Sequence, residues 1–411
     1  MNKSRFMACA LLVCAGTAGA DVISDWNIQT GLTIAAGARR GPSGMLDFPM
    51  VHIAMHDAVQ SYERRFASYC AAIPSPSGSP VAAAATAAHD VLVALFPSQS
   101  AALATAYMTF TAQYIQQGLM VAGDPGAVVG QQAAACILGR LPADNLARSK
   151  ADTFIGGTGI GEWRPTQPTP MTADFVATFK PFAMNSPSQF RTANPPPKLK
   201  SGAYVKAYEE VKAKGALVNS TRTQEETDIG RFFADGPPTY WNRLLRDLTA
   251  GHSLKLGDSA RMFALVNMAM ADALIAAWDA KIAWNFWRPV TAIREGDNDG
   301  NPRTLGDPTW SPYFGTPNYP DYTSGANNLS GAATTMLKNL FGTDELGFSL
   351  FSNTASPSPG ERTYTRLSDA ARDVVDARIY MGIHFRFADT TALRQGRHVA
   401  NWTFGHFLLP I

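Results

Sequence analysis

The chain has 411 residues, 46% of them hydrophobic and 17% charged, with 35 Lys+Arg against 33 Asp+Glu. That composition suits a protein with a large hydrophobic core. Its near-balance of charge argues against nucleic acid or an anionic membrane surface as a main partner.

The first twenty residues, MNKSRFMACALLVCAGTAGA, place Lys3 and Arg5 ahead of an apolar run and end on Ala18-Gly19-Ala20. This is the plan of a secretory signal, with cleavage expected after Ala20. Val13 is a poor fit to the small residue that precedes a lipid-modified cysteine, so Cys14 is not expected to be a lipoprotein site. Losing Lys3 and Arg5 leaves 33 basic residues against 33 acidic ones, a formally neutral mature chain over residues 21–411. The protein is expected to be exported, periplasmic or secreted. No later run of eighteen apolar residues occurs, so no membrane span is expected. Cys70 and Cys136 remain in the mature chain, where an oxidising compartment permits one disulfide and two buried thiols are an equal alternative.

Helical periodicity dominates and strand-like alternation is scarce. Helices are expected over 47–62, 81–96, 99–117 and 126–140, the second and fourth alanine-rich and suited to close packing. Residues 155–200 are Gly/Pro-rich and read as irregular. Helices resume at about 201–215, 222–234, 238–250 and 258–286. A second irregular stretch covers 296–325, before helices at 327–341, 366–384 and 390–407. No repeat or low-complexity linker divides the chain, which reads as one unit with a site in its C-terminal half, about 258–400. An irregular stretch of some thirty residues inside a helical protein is uncommon unless it is functional.

GxSxG, Walker and HExxH signatures are missing from the sequence. GGTGIGEW (156–163) has glycines at the wrong spacing for a dinucleotide fingerprint and reads as a turn. GDNDG (296–300) places its glycine too early for a calcium loop. His52 and His56 stand one helical turn apart, but core residues surround them and no Glu follows His52. Packing or hydrogen bonding is the favoured reading over metal.

Three segments carry more chemistry. In AWDAKIAWNFWRPVTAIRE (277–295), Lys281 and Arg288 are seven residues apart, about 20° in azimuth and roughly 10 Å in rise on a helix, so both can reach one anion. Pro289 disfavours helix at Arg288 and places it at a helix end or bend. Trp284, Phe286 and Trp287 are candidates for an apolar wall around the pair. In YPDYTSGANNLSGA (319–332), Ser324 and Gly325 precede a helix and leave its N–H groups free for an anion. In ARIYMGIHFRFAD (377–389), Arg378 and His384 are six apart, which on a regular helix sets them about 120° out of line. A break near Gly382, or the reach of the arginine, is needed to bring them together.

In that order, Lys-x6-Arg-Pro, a Ser-Gly loop and Arg-x5-His resemble the superfamily of vanadium-dependent haloperoxidases and type 2 phosphatidic acid phosphatases. WDAKIAWNFWRPVTAIR, HIAMHDAV (52–59), FIGGTGIGEWRPT (154–166), RTQEETDIGRFF (222–233) and RIYMGIHFRFAD are similar to its soluble bacterial haloperoxidase-like branch. The resemblance implies an all-α fold of packed helical bundles with long connecting loops. It implies a vanadate or phosphate whose oxygens are neutralised by Lys281, Arg288 and Arg378 and hydrogen-bonded by Ser324 and the Gly325 N–H. His384 would be the axial ligand to vanadium or, in a phosphatase, the nucleophile. Three cations and a helix N-terminus suit a multiply charged oxyanion. The implied activity is vanadate-dependent oxidation of halide by peroxide, in which vanadium keeps its oxidation state. An organic acceptor or a phosphomonoester completes the set of small-molecule partners. The alternatives are a secreted acid phosphatase and a non-catalytic phosphate- or vanadate-binding homologue.

The chain departs from the family pattern at two places. The Ser-Gly-His motif reads Ser324-Gly325-Ala326, which removes the acid–base histidine and predicts a weakened activity, such groups contributing ~10²–10⁴-fold. The Asp expected after three residues beyond the histidine is Ala388, with Asp389 one place later. Whether Asp389 orients His384 is open at this point, and Asp321, Asp389 and His252 are the other candidates to carry the missing proton.

Overall fold

The Asp21 carboxylate accepts hydrogen bonds from the Ile23 and Ser24 N–H groups and so starts α1 (Val22–Ala36), a helix the periodicity did not announce. The computed structural model describes residues 21–39, 41–70, 73–74, 76–140, 150–354 and 360–411. The signal assigned to residues 1–20 lies outside them.

Four helices follow: α2 (Asp47–Glu63), α3 (Pro80–Leu95), α4 (Ser100–Gln116) and α5 (Gly126–Gly139). Alanine-rich faces let α3 and α5 approach closely. A Cβ at Gly130 would overlap the Ala83 carbonyl oxygen. Cys136, on α5, forms a disulfide with Cys70, which follows α2, with Cα atoms 6.4 Å apart. Residues 150–201 run without regular structure apart from a short 3-10 turn, Asp174–Thr178, as their Gly/Pro content predicts.

The second half contains α6 (Gly202–Lys214), α7 (Gln224–Phe232), α8 (Pro237–Gly251), α9 (Leu256–Trp284), α10 (Pro289–Arg294) and α11 (Gly325–Phe341). It closes with α12 (Leu367–Tyr380) and α13 (Arg386–His406). A helix apolar on every side belongs in an interior, and α9 is the axis of the molecule, packed by α2, α11 and α13. Among the described residues it is the one single helix long and apolar enough to cross a membrane, yet 94% of its most apolar window is buried inside the protein. One core runs from Val22 to Leu408, and a second, smaller cluster gathers Tyr204, Phe286, Trp287, Tyr322 and Phe385 behind the candidate site.

The fold is mostly helical, as the resemblance implies, with one element the sequence reading passed over. Glu345–Phe351 and Glu361–Arg366 pair as an antiparallel hairpin where residues between the last helices had no assignment. The first strand buries alternate residues, Leu346, Phe348 and Leu350, a period-2 pattern too short to stand out beside the helical runs. The helix expected over 366–384 begins one residue later and stops at Tyr380, because Gly382 adopts φ +79° and turns the chain.

Two glycine contacts bring the site together. On α11, a Cβ at Gly331 would overlap the Leu393 carbonyl oxygen of α13, and one at Gly396 would overlap the Asn328 carbonyl oxygen. The backbones of α11 and α13 therefore touch, which sets Ser324 and Gly325 beside His384 and Asp389.

Candidate oxyanion site

Lys281 lies in the last turn of α9, and Arg288 stands beyond its end, where Asn285 at φ 43° has already turned the chain. The two cations therefore do not share a helical stripe, in contrast to the spacing argument. They converge because one loop lies between them. Lys281 Nζ donates to the carbonyl oxygens of Pro320 (2.6 Å) and Asp321 (3.0 Å), and Arg288 Nε donates to that of Tyr319 (2.7 Å). Arg288 Nη1 donates to the Ile383 carbonyl oxygen (2.6 Å), while its Nη2 is buried without a partner. The wall against these cations is also different from the one expected. Tyr319 stacks on both, 5.0 Å from Lys281 Nζ and 4.8 Å from the Arg288 guanidinium carbon, with Trp278 beside Lys281. Trp287 and Phe286 are buried in the cluster behind. The 285–287 segment is clamped from outside by residues 161–163, through Trp163 N–H to Asn285 O and Trp287 N–H to Gly161 O. The Gly-rich turn thus holds Arg288 in place.

Helix α11 starts at Gly325, two residues earlier than expected, with Ser324 as its N-cap and no side chain capping it. The N–H groups of Gly325, Ala326 and Asn327 have no carbonyl behind them in the helix, which leaves a partial positive charge facing outward. Trp278 packs against this turn so tightly that a Cβ at Gly325 would sit 3.0 Å from its ring. From Asp321 to Ser330 every residue is buried except Ala326. Ala326, Gly325, Arg378 and His384 together line a cavity of about 510 Å³, whose walls include Trp278, Tyr319, Leu329 and Pro237.

The Gly382 turn supplies the break that Arg378 and His384 need to converge. Arg378 is half-buried, bound through Nη1 to the Phe233 carbonyl oxygen (3.3 Å), with its Nε unpartnered. His384 is 1% exposed. Its Nδ1 is 2.7 Å from Asp321 Oδ1, and Arg288 Nη1 is 3.2 Å from its Nε2. Asp389, the residue left open by the sequence, takes a different part. Its Oδ1 accepts from Asn327 Nδ2 (2.8 Å), and its carboxyl lies beside the Ser324 hydroxyl. His252 packs on Phe341, away from the cavity.

Burial governs the charge of this cluster. It lowers the Lys281 ammonium well below its ordinary range, with Arg288 adding to the effect, and it lowers Arg288 as well. It keeps His384 neutral, reinforced by the neighbouring cations Arg288, Lys281 and Arg378. Burial pushes the Asp321 carboxyl up to about 7 against the pull of Arg288 and Lys281, and it holds Asp389 well above the usual carboxylate range, with Asp321 contributing. A multiply charged oxyanion beside these groups would favour the charged forms of the cations. The orphaned Arg288 Nη2 and Arg378 Nε, the uncapped helix start and a neutral imidazole form a donor set that fits vanadate or phosphate.

His52 and His56 are both fully buried on α2. His52 Nε2 meets Asn27 Nδ2 (2.9 Å), and His56 Nδ1 meets Asp57 Oδ1 (3.0 Å). The roles of Tyr319, Trp278 and Asp321 were missed in the sequence. Trp278 and Tyr319 sit on the segments singled out there, but nothing in their spacing announces a stack on the cations. The contact of Asp321 with a histidine 63 positions later has no local signal at all.

Residues 261–409 match the family model of the vanadium chloroperoxidase second helical-bundle domain. Vanadium chloroperoxidase of Curvularia inaequalis is 30% identical over 216 residues, 43% of this chain and 35% of that protein, so the chain matches about a third of that relative's length. The first bacterial vanadium-dependent iodoperoxidase superposes with a TM-score of 0.79 at 24% identity, over 94% of this chain and 97% of that one. The holo form of a bacterial vanadium-dependent chloroperoxidase gives 0.70 at 17% identity, over 95% and 93%. These structural likenesses carry the fold, and the matched domain spans the segment that holds Lys281, Arg288, Ser324, Arg378 and His384. Over residues 261–409 the chain thus matches the helical-bundle domain of vanadium chloroperoxidase, on a fold shared with bacterial vanadium haloperoxidases.

Proposed function

We propose that this chain is a vanadate-dependent peroxidase that uses peroxide to oxidise halide, slowed by the alanine at position 326. One observation carries the reading: a neutral His384, the Arg378 guanidinium with its unpartnered Nε and the uncapped start of α11 line one cavity, with Arg288 packed against His384 behind them. Vanadate, when bound, would supply a Lewis-acidic centre that activates peroxide toward halide without a change in its own oxidation state. Lys281, Arg288 and Arg378 would neutralise its oxygens, and Ser324 with the Gly325 N–H would donate hydrogen bonds to them. His384 would ligate through Nε2, the nitrogen turned away from Asp321. Ala326 offers its N–H and no titrating group, so the cradle binds strongly and moves protons poorly. The Cys70–Cys136 disulfide supports an exported, periplasmic or secreted location for this work.

A second reading, hydrolysis of phosphomonoesters with His384 as nucleophile, is favoured by the cavity's aromatic and aliphatic walls, which suit an aryl leaving group. One experiment separates the two. Purified protein is incubated with vanadate and assayed for peroxide-dependent bromide and iodide oxidation, and in parallel, without vanadate, for aryl phosphate hydrolysis. Halide oxidation that depends on vanadate and vanishes in His384→Ala supports the peroxidase. If neither activity exceeds that of His384→Ala, the catalytic reading fails and the chain is a non-catalytic oxyanion-binding homologue.

A further inference from the structure

We propose that Asp321 is the residue that positions His384, and that Asp389 instead holds the oxyanion turn. This rests on the reading of the site as a vanadate cradle. Asp321 is fully buried, and its Oδ1 stands 2.7 Å from His384 Nδ1, closer to the ring nitrogens than the Arg288 guanidinium. Neither Asp321 carboxyl oxygen completes a hydrogen bond, and the same imidazole also lies within hydrogen-bond reach of the Asp321 backbone carbonyl. Arg288 fixes which nitrogen carries the proton. A guanidinium only donates, so the ring nitrogen it meets must offer a lone pair. Arg288 Nη1 is nearer to Nε2 (3.2 Å) than to Nδ1 (3.4 Å). A proton on Nδ1, facing Asp321, puts the Nε2 lone pair on the side of Arg288, a contact that an incoming oxyanion would have to displace in order to take the imidazole.

Asp321 is itself held from both sides. Its N–H donates to the Phe286 carbonyl oxygen (2.9 Å), and its carbonyl oxygen accepts from Lys281. The loop that binds the cations therefore also carries the carboxylate that sets the imidazole. Asp389 is engaged elsewhere through one oxygen, while its Oδ2 is buried without a partner. Its Oδ1 is taken by Asn327, and its carboxyl borders Ser324, so it ties α13 to the first turn of α11. A carboxylate behind a ligating imidazole orients the ring and raises its basicity, and loss of such a partner typically weakens metal affinity about 10–100-fold.

The two anions that fit the cradle respond differently. Vanadate can take the imidazole as a fifth ligand, whereas orthophosphate uses the cations and N–H groups alone. Asp321→Asn removes a negative charge from beside the anion and the orienting carboxylate from behind His384. It should weaken vanadate binding at least 10-fold while leaving orthophosphate binding unchanged or tighter, measured by equilibrium dialysis of the purified protein with each anion. Asp389→Asn should shift both anions in the same direction. A third readout needs no bound anion: ¹⁵N spectra of histidine-labelled protein, with His384 assigned by His384→Gln. They should show the Nδ1–H tautomer in the wild type and a mixed or reversed one in Asp321→Asn. The proposal is overturned if wild-type His384 is the Nε2–H tautomer. It is equally overturned if Asp321→Asn weakens both anions in parallel, or if Asp389→Asn alone separates them. If the wild type binds no vanadate while the tautomer responds to Asp321→Asn, the vanadate reading fails and the positioning role of Asp321 stands.

Discussion

Gly382 is the hinge on which the site depends, and Gly382→Ala is a quantitative test of that dependence. The residue adopts φ +79°, and a Cβ there would overlap the Gly215 carbonyl oxygen and lie 2.9 Å from Pro312 Cβ. The left-handed conformation costs roughly 1–2 kcal/mol for a residue with a Cβ. Forcing the extra carbon against backbone and proline adds about 1–3 kcal/mol. Gly342, the C-cap of α11, provides a control: it has φ +73° but nothing within 4 Å of where a methyl group would sit, so Gly342→Ala isolates the conformational part. Gly202, the first residue of α6 with open space around it, should gain from alanine by at most about 0.5–1 kcal/mol, the mid-helix figure. Urea unfolding should therefore rank Gly202→Ala above wild type, Gly342→Ala about 1–2 kcal/mol below it, and Gly382→Ala about 2–5 kcal/mol below. The last variant should also lose oxyanion affinity at least 10-fold, because the turn carries His384 to the cradle. If Gly382→Ala matches Gly342→Ala in stability and binds vanadate as the wild type does, the hinge argument is wrong.

Ala326→His places an imidazole on the open side of the cradle and should raise peroxidase turnover at least 10-fold, out of the ~10²–10⁴-fold range of acid–base groups; unchanged turnover would mean that another group already carries the proton. Asp272, fully buried, accepts three backbone N–H groups from Phe182, Ala183 and Met184, and burial pushes its carboxyl up to about 6 from 3.8. Its folded state holds the proton more tightly, so its contribution is full below about pH 4 and is lost as pH rises through 6. Asp272→Asn should then gain about 3 kcal/mol on the wild type between pH 4 and pH 7, read from urea midpoints at each pH. Reducing the Cys70–Cys136 disulfide, which closes a separation of 66 residues, should cost about 4 kcal/mol by the same measurement under reducing conditions.

Much of the helical frame was legible because it is written in local periods: the alanine faces of α3 and α5, the unbroken apolar run of α9, the Gly/Pro content of the loops. The cations, Ser324 and His384 were legible because their order along the chain is itself a pattern. What escaped had no local expression. α1 depends on an Asp21 cap and on burial against later helices. The hairpin is made by two short segments, each too brief to show its period, that pair antiparallel. The pairing of Lys281 with Arg288 is achieved by the carbonyl groups of 319–321 and not by helical azimuth. Asp321 was visible as a carboxylate near the cradle, but its place behind His384 follows from α11 and α13 touching at Gly331 and Gly396, a tertiary event no spacing encodes.

Equilibrium binding of vanadate to the purified chain and to His384→Ala, followed by ⁵¹V resonance, bears most directly on the central claim. The wild type should bind one vanadate per chain with a shifted resonance, orthophosphate should compete for the site, and His384→Ala should bind at least 10-fold more weakly. Equal affinity in the two proteins, or binding that orthophosphate does not displace, would contradict the placement of the oxyanion among Lys281, Arg288, Arg378 and His384.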